Sequence, residues 1–167
     1  RLLDLAREVE RDADVVAICL STSADVDQVL SAGAIDAIKS GATVLDLTSG
    51  DPATSKRIAA ALAAKKIGFI DAPVSGGVRG AVEGSLTVMC GGSTADLKRV
   101  TPVIEAFGKK IVHCGPVGAG DAVKAMNQAL HQRPHLRGLS FAKTDHPWLL
   151  ERGQHRFSIL LFLRRRD

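Results

Sequence analysis

The chain has 167 residues, enough for one domain with a real core, and its 46% hydrophobic and 24% charged residues are those of an ordinary globular protein. The apolar run near the C-terminus, FSILLFL, has seven residues and is too short to span a bilayer. The net charge of +4 is not a nucleic-acid footprint, because it is lopsided: residues 1–130 hold 14 Lys and Arg against 15 Asp and Glu, and residues 131–167 hold 8 against 3.

In chain order, residues 2–12 place leucines and Val9 at helical spacing and predict a helix. DVVAICLS (14–21) is a continuous apolar run, as a strand buried on both faces requires. Ser23 is expected to cap a helix whose apolar positions Val26, Val29, Leu30, Ala34 and Ile38 recur at three and four, ending at Gly41. TVLDLTS (43–49) reads as the next strand, and Pro52 suits the first turn of a helix running to Lys66. IGFIDAPV (67–74) and LTVMCGG (86–92) are strand-like. Ser93, with Asp96 three residues on, resembles a capping box for a helix reaching about Phe107. KIVHCG (110–115) is a last strand, and GAGDAVKAMNQAL (118–130) a last helix with Ala119, Val123, Met126 and Leu130 as its apolar face.

Strand and helix in alternation predict an α/β fold: a partial Rossmann-type, doubly wound, mainly parallel sheet with helices on both faces. Cys19, Cys90 and Cys114 form no CxxC pair. Cys19 and Cys90 sit in apolar runs and are expected to be reduced core thiols, which points to a reducing, cytoplasmic setting. No metal-ligand spacing occurs. Composition shifts at about residue 130: residues 131–167 contain four of the five histidines, the only tryptophan and no valine. The division is therefore residues 1–130 as a partial dinucleotide-binding domain and 131–167 as an atypical basic tail, expected to be disordered or out of frame.

Doubly wound sheets bind ligands outside the carboxyl ends of their strands. Three such ends carry small hydroxyl residues or glycine: LSTS (20–23), LTSGDP (47–52) and APVSGG (72–77). Glycines after Ser75 would let backbone N–H groups face an anion such as a carboxylate, although a plain glycine-rich turn between strands reads equally well. Lys124 and Asn127 lie three apart on one helix face. A desolvated lysine there could move a proton on a substrate oxygen, while most lysines on a helix's polar side are simply solvated.

FIDAPVSGGVRGAVEGSLTVMCGG, followed by GPVGAGDAVKAMNQAL, closely resembles the β-hydroxyacid dehydrogenases, which include 3-hydroxyisobutyrate dehydrogenase and tartronate semialdehyde reductase. The likeness spans about residues 12–130. It implies an NAD(P)-dependent oxidoreductase that moves a hydride between nicotinamide and a small 3-hydroxy acid. It further implies that Lys124 is the general acid/base with Asn127 beside it, that Ser75, Gly76, Gly77 and Gln128 bind substrate, and that Leu20, Ser21 and Ser49 line the cofactor NAD or NADP. Ser49 stands where threonine is usual. Small hydroxy acids are the implied partners, with no nucleic acid or membrane, and the full-length family forms homo-oligomers.

No G-x-G-x-x-G occurs in the chain. In the resemblance, the first strand, its glycine-rich turn and the second strand precede residue 1, and an all-helical domain follows the Lys124 helix. The chain is therefore expected to be an incomplete piece that holds the cofactor weakly and is inactive alone, with an open, aggregation-prone edge on the 14–21 strand. The alternative is a non-catalytic remnant that binds a carboxylate or a partner without hydride transfer.

Overall fold

In a computed structural model, the structure describes residues 13–132 and 157–161. The helix expected over 2–12 and most of the basic tail lie outside these residues. The described chain runs β1 (Val15–Cys19), α1 (Ser23–Val29), β2 (Thr43–Asp46), α2 (Pro52–Ala63), β3 (Gly68–Asp71), β4 (Val74–Ser75), α3 (Gly77–Val82), β5 (Leu86–Gly91), α4 (Thr94–Ile104), β6 (Gly108–Gly115), α5 (Ala119–Gln132) and β7 (Phe157–Leu161).

The strands form one sheet in the order β4-β5-β3-β2-β1-β7, with β6 also paired to β5. β7–β1, β1–β2, β2–β3 and β5–β6 are parallel, whereas β5 runs antiparallel to β3 and β4. The mainly parallel α/β fold read from the alternation of elements is the fold observed.

Strand alternation sends neighbouring residues to opposite faces. Val16, Ile18, Val44 and Phe69 pack with Val26 of α1, Leu30 just after it, and Ile58 and Leu62 of α2. Val15, Leu45, Ile70 and Val88 pack with Leu97, Val100 and Ile104 from α4. These side chains are almost wholly inaccessible, and burying each contributes about 1.5–3 kcal/mol. That two-sided burial is why β1 and β2 read as unbroken apolar runs.

The helix starts follow their capping residues. Asp51 accepts from the Thr54 N–H at 2.8 Å ahead of Pro52, and Ser93 accepts from the Asp96 N–H at 3.0 Å. The cap of α1 is Thr22, not Ser23: Thr22 Oγ1 accepts from the Asp25 N–H at 3.2 Å, while Ser23 Oγ accepts from the Asp51 N–H at 2.7 Å and ties two loops together. The helix after Ser23 is also less regular than its periodicity predicts. It widens into a π turn over Leu30–Ala34, where Gly33 has φ 105°, and its last helical residue is Ala37.

Three further expectations are corrected. Cys19 is exposed at the end of β1, and only Cys90 is a fully buried thiol. On α5, Met126 is 56% exposed and Val123 and Leu130 are only half-buried, because the helix is sunk into the fold at its first turn, through Gly118, Gly120 and Asp121. The edge of β1 is not open either. β7, drawn from the tail, pairs along it from Val15↔Phe157 to Cys19↔Leu161, where an unpaired apolar strand would leave its backbone groups unmatched. Among the described residues, no helix is long and apolar enough to cross a membrane.

Candidate functional site

β1, β2 and β3 end on the same side of the sheet, and α5 begins against the last of them. β2 and β3 each finish with an aspartate, Asp46 and Asp71, both almost fully buried. Asp71 takes the role of a helix cap across the fold: it accepts from the Gly118 N–H at 2.7 Å and the Asp121 N–H at 3.0 Å. The first-turn donors of α5 are thus met by a carboxylate 47 and 50 residues away in sequence.

The approach is close enough to dictate residue type. A Cβ on Gly120 would collide with the Met89 carbonyl and lie 2.7 Å from that of Asp71, so only glycine fits there. Asp121 in turn accepts from the Gly50 N–H at 3.0 Å and from Ser55 Oγ at 2.7 Å. At the ends of β1 and β2, Thr48 Oγ1 accepts from the Leu20 N–H at 3.0 Å, and the Thr48 N–H donates to Asp46 at 2.9 Å.

Burial dominates the electrostatics of these carboxylates. It pushes Asp46 up to about 6, against hydrogen bonds from Thr48 and with added repulsion from Asp121 and Asp71. It likewise pushes Asp71 up to about 6, against the Gly118 and Asp121 N–H groups and with repulsion from Asp121. Asp121 is raised by burial too, opposed by Ser55 and Gly50.

One and two turns into α5, two polar side chains reach the segment after β3. Lys124 Nζ donates to the Val74 carbonyl at 2.8 Å, and Asn127 Nδ2 lies 3.4 Å from Ser75 Oγ. Lys124 is half-buried, and the loss of water holds its ammonium below the ordinary lysine range. Ser75 is half-buried, and Gly76 and Gly77 are exposed, with φ of 140° and 61° that a residue with a Cβ rarely adopts. They lead into α3 and not into a hairpin turn.

The structure therefore brings together Lys124, Asn127, Ser75, Gly76 and Gly77. Leu20 is half-buried and linked to β2 through Thr48, Ser21 and Ser49 are exposed at the ends of β1 and β2, and Gln128 is exposed on α5. The arrangement offers one desolvated amine, an amide, hydroxyls and bare backbone along a strand-end surface. For a nicotinamide–ribose end, Ser21 and Ser49 supply exposed hydroxyls and Leu20 an apolar contact, so that donor set fits. Sequence reasoning missed Asp46, Thr48, Ser55, Asp71 and Asp121. The signal was present in two of them: an aspartate at the end of an apolar run, LD in 45–46 and ID in 70–71, requires a partner once buried.

A family profile described as the NAD binding domain of 6-phosphogluconate dehydrogenase matches residues 2–115. The chain is 38% identical over 126 residues to 2-(hydroxymethyl)glutarate dehydrogenase of Eubacterium barkeri, covering 74% of this chain and 42% of that protein. It is 36% identical over 130 residues to 2-hydroxy-3-oxopropionate reductase of Escherichia coli, covering 77% and 44%. A crystal structure of 3-hydroxyisobutyrate dehydrogenase from Salmonella typhimurium superposes with a TM-score of 0.71 at 37% identity, covering 75% of this chain and 44% of that one. The chain thus spans somewhat under half the length of these relatives.

Proposed function

Because the chain belongs to the β-hydroxyacid dehydrogenase family, through the NAD-binding domain shared with 6-phosphogluconate dehydrogenase, we propose that it carries the acid/base and substrate-holding part of an NAD(P)-dependent 3-hydroxyacid dehydrogenase. The observation that carries this reading is the convergence of Lys124 and Asn127 from α5 on Val74 and Ser75 after β3.

The nicotinamide, when bound, supplies the hydride acceptor or donor. In the oxidative direction Lys124, as a neutral amine, accepts the proton of the substrate hydroxyl while the carbon loses its hydride. In the reductive direction the ammonium returns that proton to the carbonyl oxygen. The burial that lowers its pKa makes the neutral form more accessible than for a solvated lysine. The Val74 carbonyl takes one N–H and orients the amine, leaving others for substrate. Ser75 Oγ and the backbone N–H groups of Gly76 and Gly77 are assigned to the substrate carboxylate, with Asn127 holding Ser75 and Gln128 at the rim. Leu20, Ser21 and Ser49 are assigned to the nicotinamide and its ribose. A small hydroxy acid is the substrate class, and a cytoplasmic location and a homo-oligomer belong to the same proposal.

The chain alone is expected to hold its cofactor too weakly to turn over, so the test is reduced-nicotinamide absorbance with 3-hydroxyisobutyrate, L-serine or glycerate and either cofactor in a version extended at both ends to the length of its relatives. Turnover that falls about 10²–10⁴-fold in Lys124→Ala, with circular dichroism unchanged, is the expected result. Carboxylate binding with no turnover in the extended version would favour the non-catalytic reading.

A further inference from the structure

Asp121 stands apart from the residues of the proposed reaction, yet it joins the parts that carry them. Its backbone N–H is held by Asp71 at 3.0 Å, and its side chain reaches the other way, to the Gly50 N–H at 3.0 Å and Ser55 Oγ at 2.7 Å. At this one residue, 1% exposed, α5 is fastened to two strand ends. One is β3, whose continuation carries Val74, Ser75, Gly76 and Gly77. The other is the loop after β2, which carries Ser49.

Lys124 follows three residues later, about 4.5 Å along the helix axis. A buried carboxylate is expensive to desolvate, and since Asp71 already meets the N–H groups at the start of α5, capping that helix does not account for Asp121. What its carboxylate does provide is the pair of bonds to Gly50 and Ser55, which tie α5 to the loop after β2 and to α2.

We propose that Asp121, through its grip on Gly50 and Ser55, is a positioning residue that fixes the depth and rotation of α5 and so places the Lys124 amine against the Val74–Ser75 segment. The inference rests on the acid/base reading of Lys124. Its consequence is large because misplacing a reacting group by about 1 Å costs about 10²-fold in rate.

The test removes the side-chain half of the grip without changing any charge. Ser55→Ala removes the hydroxyl at a helix position where alanine is a good helix former. The readout is the titration of the Lys124 side chain by lysine carbon–nitrogen NMR, its resonance identified by loss in Lys124→Arg. The other titratable groups around the start of α5 include Asp46 at the end of β2, Asp51 ahead of α2, Asp71 on β3, Cys90 on β5, Cys114 on β6 and Lys56 on α2, and all are retained in the variant.

Ser55→Ala is expected to let α5 ride outward and rehydrate Lys124, cutting its neutral fraction about threefold, or about half a pKa unit. Ser55→Cys, a weaker donor, should give an intermediate change. Ser93→Ala, which uncaps α4, should leave Lys124 unmoved. A depressed Lys124 that titrates identically in folded Ser55→Ala overturns the inference and leaves the acid/base reading standing. An equal shift in Ser93→Ala also overturns it, since general loosening would then suffice. A Lys124 that titrates in the ordinary lysine range in the unmodified chain overturns both.

Discussion

Replacing Asp71 by asparagine isolates the energetics of the carboxylate that begins α5. Asp71 is 1% exposed and accepts from two backbone N–H groups, at 2.7 and 3.0 Å. Those bonds alone would hold its pKa low, but burial and the neighbouring Asp121 push it up to about 6, from an ordinary 3.8. The folded state therefore binds this proton more tightly than the unfolded chain. The corresponding stability is fully present below pH 3.8 and is lost as the pH rises through about 6. Integrating between pH 4.5 and 7.5 gives a loss of about 2 kcal/mol in the unmodified chain. An asparagine side chain cannot titrate, so this loss disappears in Asp71→Asn. The amide also keeps one acceptor and turns its NH₂ toward the second N–H, an unmet buried donor that costs about 1–3 kcal/mol at every pH. Urea denaturation followed by far-ultraviolet circular dichroism should thus show Asp71→Asn less stable at pH 4.5, with the gap narrowing by about 2 kcal/mol at pH 7.5. A gap that stays constant or widens with pH would refute the reasoning, because it would mean the two N–H groups outweigh burial and the carboxylate titrates as an ordinary helix cap.

Gly120→Ala should lower the thermal midpoint sharply, by an overpacking cost of about 1–3 kcal/mol or more, since its methyl must displace the backbone carbonyls of Met89 and Asp71. In a version extended at both ends, kcat/KM in the oxidative direction should rise with pH to a plateau set by Lys124 below the ordinary lysine value of 10.5, and that rise should vanish in Lys124→Ala. Deleting residues 157–161 should expose the edge of β1 and produce concentration-dependent association, read by light scattering; a monodisperse truncated chain would show that β7 is dispensable.

What the sequence determined by itself is the local and the repetitive. Unbroken apolar runs such as DVVAICLS mark strands covered on both faces, because a parallel sheet between helices leaves no polar side. Asp51-Pro52 and Ser93 mark helix starts, because a cap acts within three residues of itself. The dense glycine motif and the Lys124–Asn127 pair marked the region where α5 meets the segment after β3, and the family. Tertiary structure decided everything that depends on partners distant in the chain. It chose Thr22 over Ser23 as a cap because Ser23 was taken by Asp51, and it left Met126 outside because α5 is buried by its first turn. It ran β5 against β3 and β4, and it closed β1 with a strand from the tail. Above all it brought Asp46, Asp71 and Asp121 into one buried set. A carboxylate's pKa and its hydrogen bonds depend on who surrounds it in space, and Gly50 and Asp121 are 71 residues apart in a sequence that carries no sign of their meeting.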